Sequence, residues 1–407
     1  TKAIEVDSKN AEAYAQRAIS FINQKNYDLG LKDFNQAINL NPTHSNYYSY
    51  RGALYVLMKY YKNALSDCTK AIELDPANAS AYLNRGGTYI FLEKFDLAIN
   101  DFNTAIELDP KSSGAYRNRG AIHRKKGNYE LALSDYTLAI GLDPNDSEAY
   151  ERRAICYFFI KQYDLAIADY TKAIALDPKQ ADYYLQRGEA HRLLKQDTSA
   201  ISDFTKAIEL EPGRFEGYLG RAKSLFKTNP SAAILDLDTA IKLNNKDFES
   251  YLFRGLLYDM AEKSELAYMD YTDVIRLNPK STLAYEQRGY ISMKNGHYDL
   301  ALGDYTQLFM LDPKSEKIYA KLGFCYFQLK QYDPAIKNLL TAIEIDPESS
   351  FLYQTLAVCY DQINQKEKAI ENYQLFLKYA DPNDITNINL AKERIAAQKA
   401  QALAAGL

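Results

Sequence analysis

The sequence predicts an all-α solenoid of stacked antiparallel helix pairs, and three observations lead there. Prolines 42, 76, 110, 144, 178 and 212 stand 34 residues apart, and 279, 313, 347 and 382 continue the series, with Asn245 in its one empty slot. Between prolines lie two amphipathic stretches, each about 13 residues long, with apolar positions three or four apart. The same residue types then recur at the same places in every interval, and self-similarity at such a period marks a repeat array.

The chain divides into eleven units: 11–44, 45–78, 79–112, 113–146, 147–180, 181–214, 215–247, 248–281, 282–315, 316–349 and 350–384. Residues 1–10 precede them, and Thr1 to Ser8 (TKAIEVDS) matches Thr69 to Pro76 (TKAIELDP). The chain is therefore expected to begin inside a further, truncated repeat and to be a fragment of a longer polypeptide.

Counting places from the first residue of each unit, place 34 immediately precedes helix A. Its occupants include Asn10, Asn78, Ser112, Asp146, Asp247, Ser281, Ser315, Ser349 and Asp384, side chains that accept from free amides of a first helical turn. Helix A carries Tyr at place 4 in all eleven units and Gly or Ala at place 8, a small residue that lets two helices approach. A short polar turn follows, relaxed by Gly127 and Gly296 in their units, while Asp333-Pro334 reads as an N-cap with proline at N1. Unit seven lacks one residue, around Thr228-Asn229-Pro230-Ser231, and a local irregularity is expected there. Helix B has Ala at place 20 in ten units (Gly30 in the first) and mostly an aromatic at place 24: Phe34, Phe102, Tyr136, Tyr170, Phe204, Tyr271, Tyr305, Tyr373. Proline at place 32 ends it, because proline cannot donate to the preceding turn. After Asp384, Ile385, Ile388, Ala391, Ile395 and Ala396 lie opposite Lys392, Glu393 and Arg394, the pattern of a capping helix with a tail over 385–407.

Places 4, 11, 17 and 24 hold 28 of the 35 tyrosines, so tyrosine is read as packing between helices, each hydroxyl finding an edge partner. Composition narrows function further. With 47% hydrophobic and 25% charged residues the chain is neither disordered nor collagenous. A net charge of −4 creates no broad field for nucleic acid or an anionic membrane, and no apolar run approaches the ~20 residues of a spanning helix. Cys68, Cys156, Cys325 and Cys359 are far apart and lack metal-ligand or redox spacing, which favours a reducing compartment such as the cytoplasm. His123 and His191 occupy place 11, usually aromatic, and His44 and His297 lie at turns; they read as structural substitutions. No catalytic constellation, cofactor or metal site is expected.

An aromatic at place 4, small residues at 8 and 20, an aromatic at 24, mostly Ala at 27 and Pro at 32 together resemble the tetratricopeptide repeat family over nearly the whole chain. The resemblance implies a right-handed superhelix with A helices on its concave side. Stacking has a physical reason as well, since one pair cannot bury its apolar face alone. The expected function is a non-catalytic scaffold whose concave groove holds a peptide or helical segment of a partner protein. The alternative is a region that positions or regulates a catalytic domain outside this chain, and self-association through the terminal grooves is a third reading.

Place 7 is apolar in much of the family, yet here it is Arg in nine units (Arg17, Arg51, Arg85, Arg119, Arg153, Arg187, Arg221, Arg254, Arg288). Place 23 is Asp in the same nine, and in units ten and eleven both change together, to Leu322 with Asn338 and Leu356 with Asn372. Joint presence and joint loss predict an ion pair between helices A and B of one unit. The matched acids also argue against a nucleic-acid track.

The resemblance places positions 2, 5, 6, 9, 12 and 13 on the concave face. In units four to six these include Arg117, Asn118, Arg124, Lys125, Arg152 and Arg192, with Glu151 and Glu189 among them, suited to an acidic segment. In units eight to ten they include Leu252, Phe253, Leu256, Met260, Tyr290, Phe324 and Phe327, a competing apolar patch. The two-carboxylate clamp by which some relatives hold acidic chaperone tails is absent as a set. Only Asn118 and Arg152 fall in its register, with Leu83, Gly87 and Glu148 where Lys, Asn and Lys belong.

Overall fold

The computed structural model describes residues 2–313 and 316–404, and among these all regular structure is α-helical, in twenty-four helices. A short helix, Lys2–Val6, precedes eleven helix pairs, and a single helix, Ile385–Ala404, follows them. The chain forms two compact parts, up to Pro212 and from Gly213. Pairs one to six lie in the first and pairs seven to eleven in the second. Within each part helix A packs on helix B of its own pair, and helix B on the next helix A.

The small residues explain the close A–B approach. A Cβ on Gly86 would stand 2.8 Å from the Phe102 ring, and one on Gly289 would stand 3.0 Å from Tyr305. The place 20 alanines (Ala98, Ala132, Ala166 and their equivalents) and the place 24 rings Phe34, Phe102, Tyr136, Tyr170, Tyr271 and Tyr305 are wholly buried. Eight of the eleven pairs thus close around one ring, with Cys68, Leu237 and Leu339 in its place in the other three. The hydroxyl expectation holds at place 4 for Tyr48, Tyr184 and Tyr353, which donate to the carbonyls of Pro42, Pro178 and Pro347, and at place 3 for Tyr47 and Tyr183, which donate to Glu12 and Ser147. At place 24 it fails, because the Tyr136, Tyr170, Tyr271 and Tyr305 hydroxyls are buried with no hydrogen-bond partner. Tight A–B packing seals them away from any acceptor.

Helix A spans 13 residues and helix B 14, but helix A of unit seven, Phe215–Leu225, has 11. Gly127 and Gly296 take left-handed φ values of 77° and 78° in the A–B turn. The same place is left-handed in eight other units, occupied by Lys25, Lys59, Glu93, Lys161, Lys195, Glu262, Lys330 and Asn364. A Cβ there costs about 1–2 kcal/mol, so tertiary packing, not glycine, imposes the turn. Unit seven omits this residue. Asn229 instead caps Pro230–Leu243 directly, accepting from Ala232 N at 3.1 Å, while Ala222, Ala233, Leu237 and Ala240 remain buried in phase.

Asn10, Asn78, Asp146, Asp247, Ser281 and Asp384 cap their helices through the side chain. Ser112 and Ser349 occupy the N-cap without a side-chain bond, which corrects the expectation for both, and Ser315 lies outside the described residues. Asp333-Pro334 is also corrected. Helix B of unit ten begins at Tyr332 after Gln331, so proline falls at N3, where its missing N–H is still one of the first-turn orphans.

In the C-terminal helix Ala391 is buried and Ile388 and Ile395 pack on the last pair, but Ile385 and Ala396 are exposed. The buried face turns instead to Gln398, whose Nε2 donates to Asp361 at 2.6 Å.

All nine predicted ion pairs form within the unit. Each Arg donates from Nε and Nη2 to both carboxylate oxygens, as in Arg153–Asp169 at 2.7 and 2.8 Å and Arg288–Asp304 at 3.0 and 2.6 Å. The aspartates are at least nine-tenths buried, and in units one to eight the guanidinium also lies over the place 4 tyrosine, 5.8 Å from Tyr150 in unit five. The third nitrogen reaches the preceding unit. Arg51 Nη1 donates to Asn35, Arg119 to Asn103, Arg153 to Thr137, Arg187 to Thr171, Arg254 to Asp238 and Arg288 to Thr272. One side chain therefore joins both helices of its unit to helix B of the unit before, a role that the one-to-one Arg–Asp count did not reveal. His123 and His191 sit about 4 Å from Asp135 and Asp203, where other units place an aromatic ring.

All four cysteines are free and wholly buried. Burial pushes the Cys156 thiol up to about 11 and those of Cys68, Cys325 and Cys359 up to about 12. Thiolate, the reactive form, is thus withheld at neutral pH. Ellman's reagent at pH 8 is expected to label none of the four within minutes in buffer and all four in 6 M guanidinium, about the concentration that unfolds stable domains. Rapid labelling of the native chain would contradict the burial.

Candidate partner-binding site

In units three to five, side chains of successive pairs, nearly all from helix A, surround a cavity of about 450 Å³. Its cations are Arg117, Arg124, Lys125 and Arg152, joined by Asn118 and Glu148. Ile90, Phe91, Phe95, Ala121 and Ile122 supply an apolar floor, with Phe91 59% exposed. Five of the six basic-patch candidates therefore converge. Arg192 lies outside the cavity lining, held by Glu189 through two bonds of 2.7 and 2.6 Å.

The four cations are not equivalent. Arg117 donates to the N-cap Asp146 at 2.9 Å and approaches Glu148 at 3.0 Å. Arg152 meets Glu148 at 3.0 Å and Glu151 at 3.6 Å. Burial holds the Glu151 carboxyl above its ordinary value, with Arg152 drawing it back. Lys125 lies 4.5 Å from the Phe95 ring centroid and 3.7 Å from the exposed Glu93. Among the described residues Arg124 has no carboxylate within ion-pair distance, and its buried Nε has no hydrogen-bond partner, although the guanidinium stands near the buried Tyr136 hydroxyl. Of the four cations it alone has no acid partner within 4 Å.

The sequence reading missed the floor. Phe91 stands at place 13, the place of Lys125 one unit later, whereas Phe95 is at place 17 on helix B, outside the helix A positions. Gly87, Asn118, Glu148 and Arg152 all line the cavity, so it occupies the register of the absent carboxylate clamp.

The apolar candidates are distributed differently. Phe253 packs edge-on against Phe226 at 5.9 Å beneath Lys223, and Leu252 and Leu256 join the core around Tyr271. Phe324 meets Tyr298, Phe327 and Phe351, and Phe327 also joins the core of the last pairs. Met260 and Tyr290 are 62% and 46% exposed. Most of this set is thus engaged in packing between neighbouring helices.

Helix pairs at a 34-residue period, presenting a cationic cavity with an apolar floor, define a helical-repeat interaction protein. Models of the tetratricopeptide repeat match residues 11–44, 46–78, 79–112, 114–146, 147–180, 181–214, 292–356 and 352–383, together well over half of the sequence. The chain belongs to the tetratricopeptide repeat family, a family of protein-interaction scaffolds. Similar solved structures include YrrB, described as a TPR protein with an unusual peptide-binding site, at 25% identity over 45% of this chain and 95% of that one, TM-score 0.39. The C-terminal part of a TPR repeat-containing protein from Cytophaga hutchinsonii is 22% identical over 59% of this chain and 98% of that one, TM-score 0.49. Yeast Tom70 is 19% identical over 96% of this chain and 97% of that one, TM-score 0.37. No curated protein matches the chain significantly. Among the described residues no helix is long and apolar enough to cross a membrane.

Proposed function

We propose that the chain is a non-catalytic scaffold that holds an acidic, aromatic-bearing segment of a partner protein in the cavity of units three to five. The observation that carries this reading is Arg124. Its unpartnered Nε sits between an apolar floor and three further cations, an arrangement that accepts a carboxylate beside an apolar side chain. Asn118 adds amide donors and acceptors, and Arg117 and Arg152, each balanced by acids, fix the walls.

Arg124 also makes the cleanest test. Reversing Arg117 or Arg152 to Glu would set the new carboxylate against Asp146, Glu148 or Glu151 and disturb the walls themselves. Arg124→Met keeps the stem and removes the charge. With a fluorescent Glu-rich peptide containing one Phe, Arg124→Met is expected to weaken binding about tenfold or more, the scale of a lost charged hydrogen bond. Arg192→Met should leave it unchanged, and binding to the unaltered chain should fall with salt. Equal affinity in all three chains would refute the assignment.

A further inference from the structure

Unit nine departs from the repeat in a way that opens a second cavity, in the C-terminal part of the chain and independent of the first. Place 11 is aromatic in seven units, as Phe21, Tyr55, Tyr89, Tyr157, Tyr258, Tyr326 and Tyr360, but in unit nine it is Ser292. Place 17 is aromatic in seven units, as Tyr27, Tyr61, Phe95, Tyr129, Tyr163, Tyr298 and Tyr332, but in unit eight it is Ser264. Helix stacking brings these two serines to one cleft of about 390 Å³, walled by Tyr268, Met269, Ile291 and Leu300. Two rings are missing from the same place.

The surroundings register the loss. In units one, two, five and eight the place 7 Arg lies over the place 11 ring of its own helix, as Arg51 over Tyr55 at 5.8 Å and Arg254 over Tyr258 at 5.8 Å. In unit nine, with Ser292 there, Arg288 lies over Tyr268 of the preceding helix B, 5.7 Å from its centroid. Ser292 is 1% exposed and its Oγ has no hydrogen-bond partner, although a buried hydroxyl left unbonded is costly. Met269 and Leu300 stay exposed at the rim, at 63% and 48%. Volume and lining fall in the range of small-ligand sites: mostly apolar, with a few polar groups to orient the guest.

We propose that this cleft binds a phenol ring. Neighbouring units show the shape that fills such a place, since six of the seven place 11 rings and six of the seven place 17 rings are tyrosine. An aromatic guest stacks on Tyr268 and touches Met269, a favourable sulfur–aromatic contact, while its hydroxyl partners Ser292 Oγ. The ring can come from a free phenolic compound or from a tyrosine side chain of another polypeptide.

Saturation-transfer NMR on the intact chain tests this with p-cresol, the tyrosine side chain alone. The p-cresol signal is expected to fall about fivefold or more in Ser292→Tyr and in Ser264→Tyr, each of which fills the cleft from one wall. Circular dichroism should show native helicity in both, because each restores a residue that other units carry. N-acetyl-tyrosinamide separates the sources: binding of both probes indicates a tyrosine side chain, and binding of p-cresol alone a free phenol. No p-cresol signal up to about 10 mM, weaker than any functional affinity, would overturn the proposal, as would a signal that survives both substitutions.

Discussion

Arg153→Leu is expected to lower the local stability of unit five by about 2–4 kcal/mol, and adding Asp169→Asn to restore more than half of the loss. The single change strands Asp169, 6% exposed, without the guanidinium that donates to both its oxygens. A fully buried pair broken in this way costs about 3–5 kcal/mol, and the partial exposure of the Arg side chain, 17%, reduces that figure. Recovery has an internal precedent. In units ten and eleven Asn338 and Asn372 turn their amides back to the Pro334 and Lys368 carbonyls, each at 2.8 Å, so that pairing with Leu322 and Leu356 leaves these amides bonded. Because repeat arrays open locally, the measurement is hydrogen exchange of unit five amides in a double-mutant cycle, not one global midpoint. Strictly additive losses would show that the two side chains do not act as a unit. The Nη1 bond from Arg153 to Thr137 adds that protection in unit four should also fall.

Tyr271→Ala is expected to cost about 3–5 kcal/mol, whereas Tyr271→Phe should cost nothing and stabilise by up to about 1 kcal/mol. The ring is wholly buried against Gly255, whose Cβ, if present, would stand 3.0 Å away, so truncation leaves a cavity that the helices cannot close. The hydroxyl has no partner, and Phe34, Phe102 and Phe204 occupy the equivalent place in other units. Exchange of unit eight amides reports both variants. A loss in Tyr271→Phe comparable to Tyr271→Ala would show that the hydroxyl is bonded after all.

Helix positions, small-residue contacts and the Arg–Asp pairs were legible because each is a local rule repeated many times. A 34-residue period fixes where helices start and stop, and correlated change at places 7 and 23 identifies a contact within one unit. The errors fall where residue type alone does not fix the side chain's partner. Ser112 and Ser349 have the right residue type but make no side-chain cap bond, Ile385 lies on the exposed side of its helix, and the place 24 tyrosines lose their acceptors to close packing.

The candidate sites divide in the same way. Arg117, Asn118, Arg124, Lys125 and Arg152 could be nominated from helix A periodicity, since each place points in one direction along the stack. Arg152 is paired by Glu148 and Glu151 of its own helix, but that Arg117 is neutralised by Asp146 and Glu148 while Arg124 is not depends on side chains of the adjacent pair, whose reach no single-unit pattern encodes. The cleft at Ser264 and Ser292 is more dependent still. Each serine is an ordinary exception in its own unit, 28 residues from the other, and they become one cavity only because helix B of one pair packs against helix A of the next. Period and residue type specify the fold of each pair; the contacts between pairs decide which charges and hydroxyls are left without a partner.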